Sequence, residues 1–121
     1  MIIKLPFKTP TINHLYWHRG NMKIMKTEAR ELREEIKKIV RKSLPFVCPN
    51  INAGLKVSVG IHENWLCKNG SVKRKDVANR EKFLIDSVFN ALELDDKYIW
   101  HHEYKKIQDD KEFSIIEIES I

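Results

Sequence analysis

Asp76, Asn79, Lys82, Asp86 and the pair Asp95-Asp96 gather four carboxylates, an amide and an ammonium within one short stretch of the chain. Two carboxylates about 4 Å apart repel by roughly 4 kcal/mol at a surface-like effective dielectric. A fold that converges several of them therefore needs a cation between them. Hard divalent ions such as Mg²⁺ take oxygen ligands and usually keep waters and substrate phosphate oxygens in their shell. Just upstream stand Lys68, Lys73, Arg74 and Lys75. Carboxylates for a metal beside cations for a phosphate backbone point to metal-assisted phosphodiester hydrolysis.

A helix from about Val77 or Asn79 to Leu92 would carry this set. At about 100° per residue, Leu84, Ile85, Val88, Ala91 and Leu92 share one side, and Asn79, Lys82, Asp86 and Asn90 share the other. Asp76 precedes the helix and Asp95-Asp96 follows it, so a chain reversal is needed to bring the pair back to the polar strip. An ordinary reading competes with this one. Asp76 is then a helix N-terminal acid, Asn79 a cap, Lys82 and Asp86 an i,i+4 pair, and Asp95-Asp96 turn residues.

The remaining elements are those that must position the strip. Residues 2–8 read as a strand that Pro6 marks as an edge or an end. Residues 9–25 have no clear period and read as an ordered loop or short hairpin. Thr27 is placed to cap a first helix to about Ser43, with Ala29, Leu32, Ile36, Ile39 and Val40 as its apolar stripe. Residues 55–62 alternate as a strand, and Asn69-Gly70 marks a turn. Residues 97–107 and 112–118 are two further strands, predicted to form a hairpin around Asp109-Asp110-Lys111. The order β-α-β-α-β-β describes a small α+β fold, a mixed sheet packed with two helices, in a single domain over residues 1–121.

Composition narrows the class. The chain has 121 residues, 42% hydrophobic and 32% charged, which suits one globular domain with its own core. No apolar run nears the roughly 18 residues of a membrane span, and no signal-peptide pattern opens the chain, so a cytoplasmic protein is the simplest expectation. Cys48 and Cys67 lack metal-knuckle spacing and are expected as free thiols. Lys and Arg outnumber Asp and Glu by 22 to 17, a net charge of +5 that favours a polyanionic partner without identifying it.

These residues resemble the RusA-like Holliday junction resolvases, small endonucleases that cut four-way DNA junctions. The family motif reads Asp-x-Asp-Asn-x-x-Lys-x-x-x-Asp, then an acidic pair, then x-x-Ile/Val. Asp76, Asn79, Lys82, Asp86, Asp95-Asp96 and Ile99 fall in register with it. Lys106 matches a lysine that the family carries downstream of the pair. Thr11-Ile12-Asn13-His14-Leu15-Tyr16 is similar to the family's Ser/Thr-x-Asn-x-x-Tyr/Trp segment, so the resemblance spans nearly the whole chain. One position departs: Ala78 stands where the family usually has a second aspartate.

The resemblance implies Mg²⁺-dependent hydrolysis of a phosphodiester, with Mn²⁺ as a substitute, in DNA recombination and repair. It implies Asp76, Asp96, Asp86 and Asp95 as metal ligands, and Asp76, Lys82, Asp96 and Asp86 as the catalytic set. It implies a homodimer, because resolving a near-symmetric junction takes paired nicks on opposing strands. DNA contacts would come from Lys68, Lys73, Arg74, Lys75, Asn79 and Lys106, joined by Asn13, Tyr16 and Arg19. The alternative left by Ala78 is a catalytically weakened or inactive dimeric DNA-binding relative. Of the remaining residues, His101-His102 would face opposite ways on a strand, giving at most one imidazole to the site. Tyr16, Trp17 and Trp65 fit core or interface packing better than base stacking.

Overall fold

The computed structural model describes residues 1–10, 16–19, 22–44, 51–74 and 78–121; for 16–19, 22–24, 78 and 79 it describes the backbone alone. Eight elements follow in order: β1 (Ile2–Leu5), β2 (Tyr16–Arg19), β3 (Met22–Met25), α1 (Thr27–Lys42), β4 (Leu55–Glu63), α2 (Ala78–Leu92), β5 (Ile99–Gln108) and β6 (Phe113–Ser120). The expected α+β class and mixed sheet are present. Four strands form one sheet in the order β1-β6-β4-β5, and β2 and β3 form a separate antiparallel ribbon.

The expected hairpin of the last two strands is not there. β4 lies between them, pairing parallel with β5 and antiparallel with β6. The reason is in the composition of β4, where Leu55, Val57, Val59 and Ile61 are all buried. Such a strand is most stable with a neighbour on each edge, and β5 alone, exposed along most of its length, suits the sheet margin. Residues 109–112 therefore cross the end of β4, tied there by Asp109 N–H to Glu63 O at 3.0 Å and by His62 Nδ1 to Asp109 Oδ2 at 3.1 Å. β1 takes the other margin and stops before Pro6, as its composition suggests.

Both helices bury apolar faces in one core. α1 contributes Ala29, Ile36 and Val40; α2 contributes Phe83, Leu84, Ile85, Val88, Phe89 and Ala91. The buried arc of α2 is wider than its period-3.6 stripe because two phenylalanines extend it. Thr27 does not cap α1: the N-cap is Lys26, without a side-chain cap bond, and Thr27 is the first helical residue. Trp65 is core, 3% exposed, with its indole N–H donating to Ile61 O at 3.0 Å. Cys67 is free and exposed; Cys48 lies outside the described residues.

α2 ends on Glu93, whose φ of 57° is left-handed. Leu94 N–H donates to Phe89 O and Glu93 N–H to Asn90 O, the paired bonds of a Schellman closure. Glycine is the usual residue there because a Cβ costs energy in this conformation. Glu93→Gly is expected to raise stability by roughly 0.5–1 kcal/mol, measured by urea unfolding. Unchanged or lower stability would show that the Glu93 side chain compensates its own strain.

Candidate active site

The left-handed turn at Glu93 supplies the chain reversal that the acidic strip requires. It leads into Asp95, whose Oδ1 accepts from Lys97 N–H at 2.9 Å and caps a short 3₁₀ turn, Asp96–Tyr98. The chain thus returns Asp96 beside the polar edge of α2. A cleft of about 450 Å³ results, lined by Glu81, Lys82, Ile85, Asp86, Asp96, Ile99 and His102. Three sequence-derived candidates, Lys82, Asp86 and Asp96, meet there. Asp95 faces an adjoining cleft of about 330 Å³ with Arg33 and Asn90, and Asp86 and Asp96 line both.

Other candidates fall elsewhere. Asp76, Lys75 and Asn13 lie outside the described residues, as do the side chains of Asn79, Tyr16, Trp17, Arg19 and Ala78. Lys68 is exposed in the segment closed by the Leu66–Val72 bridge, and Arg74 is exposed just beyond it. Lys73 is half-buried in a different cleft with Lys8, Glu63, Asp110 and Glu112. Acids there compete with any phosphate for its ammonium. Lys106 is exposed and holds its ammonium 5.0 Å from the centre of the Trp65 ring.

The start of α2, on which this geometry depends, is fixed by a buried ion pair. The Arg80 guanidinium contacts the Glu63 carboxylate at the end of β4, and both side chains are under 5% exposed. Arg80 also lies over the Trp65 ring, 5.2 Å from its centre. Further along, Arg33 Nε donates to Ser87 Oγ at 3.4 Å and ties α2 to α1.

Glu81 had no role in the sequence reading, and His102 entered it only as one of a strand pair giving at most one imidazole to the site. His102 Nε2 lies 2.9 Å from Glu81 Oε1, with His102 29% and Glu81 11% exposed. Strand alternation sends His101 to the opposite face, where it meets Glu103 at 2.9 Å. Glu81 directly precedes the motif position Lys82 rather than occupying one, and only the parallel placement of β5 beside α2 reveals its partner. Burial, reinforced by the charge of Asp86 and opposed by Lys82, pushes the Glu81 carboxyl up to about 7. Burial also pulls the His102 imidazole below its ordinary range.

Glu81 therefore favours the folded state most while protonated. Its contribution is complete below the ordinary carboxyl value of 4.5 and is lost as pH rises through about 7. His102 acts in the opposite sense, losing stability as pH falls below 6.5. Glu81→Gln is expected to gain about 1–3 kcal/mol on wild type between pH 5 and pH 8. Parallel urea melts at the two pH values check this; a constant difference between the proteins would refute the assignment.

The described carboxylates suit a hard cation in number and kind. Asp86 and Asp96 offer oxygen donors to one open cleft, and Mg²⁺ is commonly held by one or two carboxylates plus waters and phosphate oxygens. Among the described residues no three His, Cys, Asp or Glu side chains stand close enough to hold an ion alone. Among the described residues, no helix is long and apolar enough to cross a membrane.

No curated protein matches the chain at a significant level. The family model for endodeoxyribonuclease RusA matches residues 6–119, covering both helices, both strands of the ribbon, β4, β5 and all but the last residue of β6; β1 precedes it. With Lys82, Asp86 and Asp96 in one cleft and the match running almost from end to end, the chain belongs to the RusA family of endodeoxyribonucleases, which act on Holliday junctions.

Proposed function

We propose that this protein resolves four-way DNA junctions by Mg²⁺-dependent phosphodiester hydrolysis, as a homodimer that makes paired symmetric nicks. The observation that carries the proposal is the convergence of Lys82, Asp86 and Asp96 from three motif positions on one cleft. Asp86 and Asp96, with Asp76 from the segment before α2, would hold the metal, and Asp95 would support it from the adjoining cleft. When bound, Mg²⁺ supplies an activated water and neutralises charge at phosphorus.

The chain's own groups do the rest. Lys82, exposed at the cleft edge, holds a nonbridging phosphate oxygen and stabilises the charge that develops there. Asp86 and Asp96 keep anionic DNA out of the cleft unless a cation neutralises them. The exposed Lys68, Arg74 and Lys106 take backbone contacts that set register without reading bases. Two copies related by a dyad place two such clefts on opposing strands.

A labelled mobile four-way junction incubated with Mg²⁺, Mn²⁺ or chelator tests this reading. Symmetric nicks that require a divalent ion support it, together with sedimentation at twice 14.4 kDa. The second reading rests on Ala78, where the family usually carries an acid. Tight junction binding with no nicking under any ion would favour that non-catalytic DNA-binding protein.

A further inference from the structure

The cleft holds one pair of groups for which the phosphate-and-metal chemistry above has no use. His102 reaches it from β5 and Glu81 from α2, and they meet at 2.9 Å on the same wall as Lys82, Asp86 and Asp96. The contact is made through Nε2, and His102 Nδ1 has no hydrogen-bond partner among the described residues. Of the two side chains, His102 is the more open to solvent. Tyr104, the next residue on that face of β5, packs edge-on against the imidazole with centroids 5.7 Å apart. The ring is therefore held by a carboxylate on one edge and an aromatic neighbour beside it, facing a cleft of suitable size for a phosphodiester.

A carboxyl group beside one imidazole nitrogen fixes what the other can do. When Glu81 carries its proton and presents it to Nε2, the neutral ring holds its own hydrogen at Nδ1, and Nδ1 is the donor. Glu81, the less exposed of the two, touches His102 and acts through it.

We propose that His102 is the proton donor to the leaving oxygen of the scissile phosphodiester, and that Glu81 is its positioning residue. The proposal rests on the junction-nuclease reading. Water oxygen bonds to phosphorus as the bond from phosphorus to O3′ breaks, its electron pair moving to O3′. The Nδ1 proton passes to O3′ and gives a 3′-hydroxyl as the Glu81 proton moves to Nε2, while the attacking water releases a proton to solvent and leaves a 5′-phosphate. A solvent proton then restores His102.

Replacing the leaving oxygen by sulfur tests this, because a thiolate leaves without a proton. Nick positions are first mapped on an ordinary junction with wild-type protein. A second junction then carries a 3′-bridging sulfur at the mapped bond. His102→Gln is expected to cut the oxygen junction roughly 10²–10⁴-fold more slowly than wild type. On the sulfur junction its rate relative to wild type should return to within roughly fivefold, the general-acid contribution being gone. Glu81→Gln is expected to show a smaller loss, about tenfold, rescued by sulfur in the same way. Equal losses on both junctions, or no loss on oxygen, would overturn the proposal for whichever variant is folded by circular dichroism. Wild-type protein that nicks neither junction would fell the junction-nuclease reading, and this proposal with it.

Discussion

Asp96→Asn protein is expected to bind a four-way junction at least as tightly as wild type in chelator, and to nick it roughly 10³-fold more slowly in Mg²⁺. Asp96 is exposed at the first residue of the 3₁₀ turn, and the cap bond of that turn belongs to Asp95. The change therefore removes a cleft carboxylate while leaving the fold alone. Binding should tighten because one negative charge leaves a surface that faces DNA. Asp95→Asn is the informative companion. Asparagine caps about as well as aspartate, so stability should hold, and the loss of nicking should be much the smaller of the two. Measuring both nicking rates beside binding by gel shift separates a metal ligand from a turn residue. Equal losses would mean that both acids serve the ion; wild-type nicking by Asp96→Asn would remove Asp96 from the chemistry.

Glu63→Ala should be the most damaging single change to stability, at about 3–5 kcal/mol. It strips the partner from a guanidinium that is almost fully buried and whose Nε already lacks a hydrogen bond among the described residues. Against the roughly 5–15 kcal/mol that holds a domain of this size, such a loss brings the protein near its folding threshold. A fall in Tm on the order of 10–20 °C would follow. The double change Glu63→Leu with Arg80→Met, which removes both charges and keeps apolar volume, should recover most of it. If the single variant melts within about 1 kcal/mol of wild type, the pair is not the clamp described here. Nicking should fail in the single variant before global unfolding, because Arg80 sits in the first turn of α2, ahead of Lys82 and Asp86.

How much of this was legible beforehand depended on the range of the interaction. Local signals held up: the stripe Ala29, Ile36, Val40 gave α1, the alternation from Leu55 gave β4, and the period through Leu84 and Val88 gave α2. Lys82 and Asp86 share a helix edge by spacing alone, so their place in one cleft followed from the helix. What failed was long-range. Asp109-Asp110-Lys111 has the composition of a hairpin turn, and nothing in its own residues reveals that β4 will lie between the flanking strands. Glu81 and His102 meet only because β5 runs parallel to β4 with α2 as the crossover. Glu63 and Arg80 are likewise unremarkable in sequence and become partners only when the end of β4 meets the start of α2.

The central place of β4 also governs how fast this chain folds. It cannot complete its ladder until α2 has been laid across and β5 and β6 have arrived, and β1 pairs only with β6, more than a hundred positions downstream. Contacts that distant must pay loop-closure entropy before any of them is rewarded, so folding should be slow for a domain of this size. During that wait Leu55, Val57, Val59 and Ile61 form an apolar strand with both edges open. This is the segment through which unfolded copies should find one another, making refolding yield fall steeply with protein concentration.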